Sequence, residues 1–212
     1  MKYEDFISRF GNLPVIETSV LSAEQGDPKA LSVQISRWQK TGRLIQLRRG
    51  VYVLPEFYRK VELNEFYIAS VLEKPSYISL EKALEFHGLI PEAVPVFTSV
   101  TTSRPRHLRT PVGVFEYRHL LPSLFWGYRS FVMNRQTVFI AVPEKALLDL
   151  FYLKHIRVTE PYLTEMRLQN LEKISMKKLS LYAGRFAKPG LAKAADILSA
   201  FIRRHRKDMR KK

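Results

Sequence analysis

The chain has no cysteine. That excludes disulfides and thiolate zinc sites and fits a reducing compartment, the cytoplasm. No apolar run is long enough to span a bilayer. The opening residues, M-K-Y-E-D-F, hold no apolar signal core. A cytoplasmic protein with no membrane partner is expected. Phosphate-binding strings of the G-x-G-x-x-G and P-loop types are missing. Carboxylates are few, 20 Asp and Glu against 35 Lys and Arg. No D-x-D or D/E-x-K pair ends a convincing strand, so the clustered acids of a Mg²⁺-dependent nuclease are not seen. Glu116, on a strand-like stretch, is followed by Tyr117 and Arg118 rather than by a second acid. A nucleotidyltransferase would show Gly-Ser followed by paired acids, and neither is present. His87, His107, His119, His155 and His205 are scattered and form no H-x-x-x-H pair. These absences point away from an enzyme: no catalytic residue, no metal ligand set and no cofactor is expected.

What is present is positive charge. The formal charge is +15 over 212 residues, with 46% hydrophobic residues to build one large or two small domains. Such a chain favours a polyanionic partner, because neutralising phosphates releases counterions. An anionic membrane surface is the rival partner. The charge is unevenly placed. Residues 1–27 carry two basic and five acidic side chains, whereas residues 28–60 carry eight Lys/Arg and one acid. The sign switches where an amphipathic helix begins.

Asp27 can cap that helix and Pro28 suits its first position. Leu31, Ile35 and Trp38 follow at i, i+4 and i+7 and should pack inward. The opposite face carries Lys29, Val33, Ser36, Arg37 and Lys40. Its cations can meet phosphates or base edges, and Val33 can touch a thymine methyl. Gly42 ends the helix as a left-handed residue. Residues 44–47 and 51–54 read as strands turning at Arg48-Arg49-Gly50, where glycine permits a positive φ. A first helix fits residues 3–10 and a short second one residues 18–25, with Gly26 in the turn. This is the layout of a winged helix-turn-helix over residues 1–61, its double-helical reading unit spanning residues 18–41. The competing reading is a merely solvated basic helix.

Past Lys60 the pattern changes. Residues 61–74 read as an ordered joining helix and residues 80–87 as another, with Ser79 as its cap and Gly88 as its stop. Strand-like stretches follow at residues 96–101, 114–117, 128–133 and 137–142. Pro143-Glu144-Lys145 opens a helix with Ala146, Leu147, Leu150 and Phe151 as its buried stripe, and residues 160–202 read as helices. The fold class is therefore α+β: an N-terminal winged helix-turn-helix followed, over residues 62–212, by an α+β domain with a small antiparallel or mixed sheet and a helical C-terminus. Residues 101–109, T-T-S-R-P-R-H-L-R, read as a polar loop or as a second nucleic-acid surface. Phe115, Tyr117, Trp126 and Tyr128 stack bases if exposed and otherwise join the core. The final run, residues 203–212, holds seven Lys/Arg and continues the stripe Leu191, Ala195, Leu198 and Ile202. It reads as a docked helix with a solvated tail, or as an auxiliary phosphate clamp.

Three segments carry a resemblance: G-R-L-I-Q-L-R-R-G-V-Y-V-L in the hairpin, Y-I-S-L-E-K-A-L-E-F-H-G-L-I-P at residues 77–91, and F-I-A-V-P-E-K-A-L-L-D-L at residues 139–150. With their order and spacing they resemble the AbiEi family of antitoxin-type regulators from abortive-infection, type IV toxin–antitoxin systems. The last fifty or so residues lie outside the match. The resemblance implies a winged helix-turn-helix that binds and represses its own promoter. It also implies a C-terminal antitoxin domain that counteracts a separately encoded nucleotidyltransferase-like toxin, by direct binding or functionally. It implies DNA contacts at Arg37, Lys40, Arg43, Arg48 and Arg49. Ser36 and Arg37 are the candidates for base edges; Lys29, Lys40, Arg48 and Arg49 should hold phosphates. Glu144, Lys145 and Asp149 either belong to a helix packed on the sheet or form a polar surface for a partner. The alternative function is an RNA- or ribosome-binding module without repressor activity, worked by the basic tail and the loop at residues 103–109.

Overall fold

Tyr3, Phe6 and Phe10 recur along one face of the first helix, α1 (Tyr3–Phe10), which buries all three. The structure is a computed structural model that describes residues 1–24 and 28–209. The expected Asp27 cap, the Gly26 turn and the last three residues of the basic run lie outside the described residues. Two further helices, α2 (Thr18–Glu24) and α3 (Pro28–Lys40), pack against each other, and a short β1 (Ile16–Glu17) precedes them. The hairpin β2 (Ile45–Arg48) and β3 (Val51–Val53) turns at Gly50, whose φ of +80° is of the kind glycine accepts without strain. β1 adds to the far side of β3, giving an antiparallel sheet of order β1-β3-β2. Trp38 of α3 meets Phe6 and Tyr3 with ring centroids 4.5 and 5.5 Å apart. Leu31, Ile35 and Trp38 are buried as their spacing predicts, and Gly42 follows the helix at φ +69°.

This small sheet is covered on both faces. Tyr52, Leu44 and Ile16 join α1 and α3 in one hydrophobic cluster, while Val15, Leu47, Val51 and Val53 enter the larger cluster of the rest of the chain. Successive residues of β3 thus serve opposite cores, as the two-residue period of a strand requires.

Asn64 starts α4 (Glu65–Leu72) by accepting from the backbone N–H groups of Phe66 and Tyr67 at 3.0 and 3.4 Å. The joining helix expected over residues 61–74 is therefore shorter, because an N-cap asparagine sets its first turn. A mixed six-stranded sheet follows, of order β6-β7-β5-β4-β9-β8. Its strands are β4 (Ser76–Ile78), β5 (Val96–Thr101), β6 (Arg106–Thr110), β7 (Gly113–His119), β8 (Tyr128–Met133) and β9 (Gln136–Ala141). β4–β9 and β5–β7 are parallel pairs and the remaining neighbours antiparallel. The segment read as a polar loop supplies β6. Only Leu108 and Thr110 are half-covered, and Arg106, His107 and Arg109 occupy the rest of an edge strand, where the arginines discourage pairing with another chain. Tyr117, in register with Ser99 and Ile78, donates from its hydroxyl to the Ala69 carbonyl of α4 at 2.7 Å. Tyr77, one residue along β4 and hence on the opposite face, meets α6 (Pro143–Leu153). Around α6 lie α5 (Leu80–Phe86), α8 (Met176–Arg185) and α9 (Pro189–Met209), with α7 (Glu160–Glu165) against α9. Leu191, Ala195, Leu198 and Ile202 are buried along α9, so that stripe is a docked one. The class is α+β, and among the described residues no helix is long and apolar enough to cross a membrane.

Candidate nucleic-acid interface

The inward stripe of α3 fixes what its other face can offer. Lys29, Val33, Ser36, Arg37 and Lys40 are all exposed, Val33 to 51%. An isolated, half-exposed valine among cations is suited to a surface that meets apolar and anionic groups together. The helix has thirteen residues and so a length of about 20 Å. A helix of this kind fits a major groove roughly 12 Å wide. Thr41 terminates it by donating its hydroxyl to the Arg37 carbonyl at 3.1 Å, and Gln39 donates to Gln46 of β2 at 2.6 Å. The second of these bonds ties the end of α3 to the hairpin.

The three hairpin-side arginines do not behave alike. Arg43 is exposed, but its guanidinium lies 5.1 Å from the Tyr3 ring centroid, while its carbonyl accepts from the Tyr3 hydroxyl at 2.7 Å. Arg49 is exposed at the hairpin tip, which the Thr18 N–H ties down by donating to the Gly50 carbonyl at 2.9 Å. Arg48 is the least exposed of the three. The pairing register shifts between Gln46 and Arg48, and such an irregularity breaks the in-out alternation. Leu47 is then buried and Arg48 half-buried, with its Nε enclosed without a hydrogen-bond partner. Its charge acts on Tyr117 of the large sheet instead, opposing the rise that burial and Glu73 impose on that phenol. Arg48 sits at the junction of the two sheets and does not share the exposed face of α3.

Glu144, Lys145 and Asp149 form no partner surface. All three are buried, Lys145 and Asp149 completely, because α6 is enclosed by the sheet and by α5, α8 and α9. Lys145 Nζ donates to Asp149 Oδ1, its i+4 neighbour, and to the Tyr77 hydroxyl at 2.9 Å. Tyr77 and Ser79 both donate to Asp149 Oδ2, at 3.0 and 2.7 Å. The Lys145 ammonium also lies 5.0 Å from the ring centroids of Trp126 and Phe186. Burial lowers the Lys145 pKa and raises that of Asp149, each against the attraction of the other. Glu144 accepts from the backbone N–H of Ser175 at 2.7 Å, and Ser175 caps α8 through Lys178 N–H. The motif therefore closes the core. Ser79 stands at the N-cap position of α5 as expected, but its hydroxyl donates to Asp149 and makes no cap hydrogen bond. Sequence reasoning missed Tyr77 and Ser79 as partners because they lie about seventy residues away in the chain.

The remaining candidates are plainly placed. Phe115 and Tyr117 are core residues, Trp126 is half-buried beside Tyr182 and Phe186, and Tyr128 is exposed at 37%. His87 packs at the end of α5 with its Nε2 2.7 Å from the Ala141 carbonyl, and burial lowers its pKa. Arg104, Arg106, His107 and Arg109 are exposed on and beside β6, with Arg106 paired to Glu73 at 2.9 Å. In the basic C-terminal run, Arg204 pairs with Glu160 at 2.8 Å and Arg206 donates to the carbonyls of Leu171 and Ile174. Among the described residues, no three His, Asp or Glu side chains are grouped to hold a metal ion. The chain matches no protein-family model and no curated protein.

Proposed function

We propose that this protein is a DNA-binding autorepressor of its own promoter. In this reading its N-terminal part is a winged helix-turn-helix, in which α3 enters the major groove and the β2–β3 hairpin is a short wing. The observation that carries the reading is the exposed face of α3, where Lys29, Val33, Ser36, Arg37 and Lys40 stand opposite a buried Leu31-Ile35-Trp38 stripe. The order helix, strand, two helices, hairpin, with β1 completing the hairpin sheet, supports it. Arg37 and Ser36 read base edges; Lys29, Lys40, Arg43 and Arg49 hold phosphates and set the register. Arg48 is left out of the contact set because its guanidinium is turned to the sheet junction.

The second half of the proposal rests on the three AbiEi-like segments. The protein acts in the cytoplasm as an antitoxin, with a separately encoded nucleotidyltransferase-like toxin as its partner, and carries no catalysis of its own. The buried Lys145–Asp149 pair gives the C-terminal part a fixed frame, and the exposed surface built on that frame meets the partner.

Gel-shift titration of duplex DNA from upstream of the gene, against a scrambled duplex, tests the first half. The native duplex binds more tightly, and affinity falls steeply with salt. Equal binding of both duplexes overturns repression by sequence. Co-expression with a toxin encoded beside the gene tests the second half: growth is restored, and failure to restore it removes the antitoxin role. The RNA- or ribosome-binding alternative is favoured by the exposed cations of the β6 edge. It predicts that Arg104→Ala with Arg109→Ala abolishes nucleic-acid binding while α3 variants remain competent.

A further inference from the structure

A cleft of about 740 Å³ lies between the end of β7, the loop after α6 and the start of α9, remote in sequence from α3. Five of its lining side chains are basic or imidazole: His119, His155, Arg157, Lys188 and Lys193; none is acidic. Its floor is apolar, with Phe151, Val158, Leu191 and Ala194 all buried. The same elements neutralise their cations elsewhere. Arg118 of β7 pairs with Glu116 at 2.5 Å, Lys154 at the end of α6 pairs with Glu81, and Arg204 of α9 pairs with Glu160 at 2.8 Å. Inside the cleft the pattern stops. The side chains of Arg157, Lys188 and Lys193 are exposed and make no hydrogen bond or ion pair among the described residues.

We propose that this cleft binds a free nucleotide, a site separate from the α3 face of the proposed DNA-binding reading. The chemistry asks for an occupant with several negative charges at one end and a flat, weakly polar body at the other. Arg157 presents a planar fork suited to a phosphate, and Lys188 and Lys193 flank the first turn of α9 as point charges. Three unpaired cations around one opening repel one another, and a triphosphate relieves that repulsion. The base and sugar cover the part-exposed Tyr152, Leu153 and Ile156 and the exposed Pro189 above that floor. His155 is held at the rim by a left-handed backbone, φ +52°, which turns the chain sharply between α6 and Arg157.

Calorimetric titration of the full chain with ATP, GTP and CTP, beside inorganic tripolyphosphate, tests the proposal. At least one nucleotide binds, and tripolyphosphate binds about tenfold more weakly because it cannot use the apolar floor. The triple variant Arg157→Gln, Lys188→Gln, Lys193→Gln lowers nucleotide affinity by at least about tenfold. These side chains are exposed, so its thermal midpoint stays at the wild-type value. Duplex DNA from the upstream region still binds the variant with wild-type affinity. Absence of nucleotide binding at millimolar concentration, or unchanged binding by the variant, overturns the proposal. So does an equal loss of DNA and nucleotide affinity, which assigns the cleft to the DNA surface instead. Tripolyphosphate binding as tightly as ATP reduces the site to a bare anion cleft and removes the nucleotide.

Discussion

Helices α3 and α6 both begin at a proline and both mix lysine or arginine with an apolar stripe, but they place their charges on opposite sides of the protein surface. In α3, Lys29, Arg37 and Lys40 point to water. In α6, every residue from Glu144 to Phe151 is buried, charges included. The difference comes from the neighbours. α3 has α1, α2 and the small sheet on one side only, whereas α6 is enclosed by the large sheet and three other helices. An exposed cation keeps its hydration and remains available to an incoming phosphate. A buried one has already lost its water and is committed to its counter-ion. Two unit charges 4 Å apart attract by roughly 1 kcal/mol in water but about 4 kcal/mol at an effective dielectric of 20. The charges of α3 are thus left at the surface, whereas Lys145 and Asp149 of α6 are committed to each other.

Breaking the buried pair is expected to have the largest effect. Asp149→Asn removes the counter-ion of Lys145 while keeping its shape, and should cost roughly 3–5 kcal/mol of folding stability. Lys145→Met leaves Asp149 with its Tyr77 and Ser79 donors, and the double variant Lys145→Met with Asp149→Asn should be less destabilised than the sum of the two single changes. Urea denaturation with a double-mutant cycle reads the coupling. Additive losses would mean that the two residues act separately and that α6 is held by its leucines. Next in size is Gly127→Ala. Its backbone has φ +79°, and an added Cβ would come within 2.9 Å of Lys145 Cγ. The stem of that lysine is fixed by the bonds of its ammonium, so the substitution should cost about 1–3 kcal/mol.

On the exposed side, Arg37→Ala should change stability by no more than about 0.5 kcal/mol. The same change should weaken specific DNA binding by ~1–3 kcal/mol, with relaxed preference at one base pair. Arg49→Ala should weaken all sequences alike. If Arg37→Ala unfolds the protein instead, α3 is a structural helix like α6 and the contrast fails.

The sequence made α3 readable and α6 only partly so, for a physical reason. The spacing of Leu31, Ile35 and Trp38 leaves an opposite face of α3 on which Val33 is the one large apolar residue, so exposure follows from periodicity. In α6 the stripe Ala146, Leu147, Leu150 and Phe151 was visible, but Leu148 fills the remaining face. A helix apolar all round is a buried helix, and that signal outweighs the three charges within it. What periodicity could not supply was the partner of each charge, since Tyr77 and Ser79 arrive through sheet pairing. The same limit hid Arg48, whose direction depends on a register shift in the hairpin, and β6, whose edge position lets cations alternate with Leu108. The helical C-terminus was legible from its stripe; the cleft at its start was not, because it joins three elements far apart in the chain.

The smallest predicted effect sharpens the comparison within the N-terminal part. Burial, together with the nearby Tyr58, raises the Tyr3 pKa from its usual 10.0 to about 12, with Arg43 opposing. The protonated phenol donates to the Arg43 carbonyl, a bond that the phenolate cannot make. Because the folded value lies above the unfolded one, this stabilisation is complete below pH 10 and is lost as pH rises from 10 towards 12. Thermal midpoints measured across that window should fall for the wild type, and Tyr3→Phe should fall less steeply while starting lower. Parallel curves would show that the alkaline loss arises elsewhere, for instance at Tyr117 or Tyr77, whose phenols burial also raises. Intrinsic tryptophan emission separates these sites, since Trp38 lies against Tyr3 whereas Trp126 lies beside Lys145. A Tyr3-driven transition alters Trp38 first, loosening α3 at the end that carries Arg37 and Lys40 before the buried pair of α6 is disturbed.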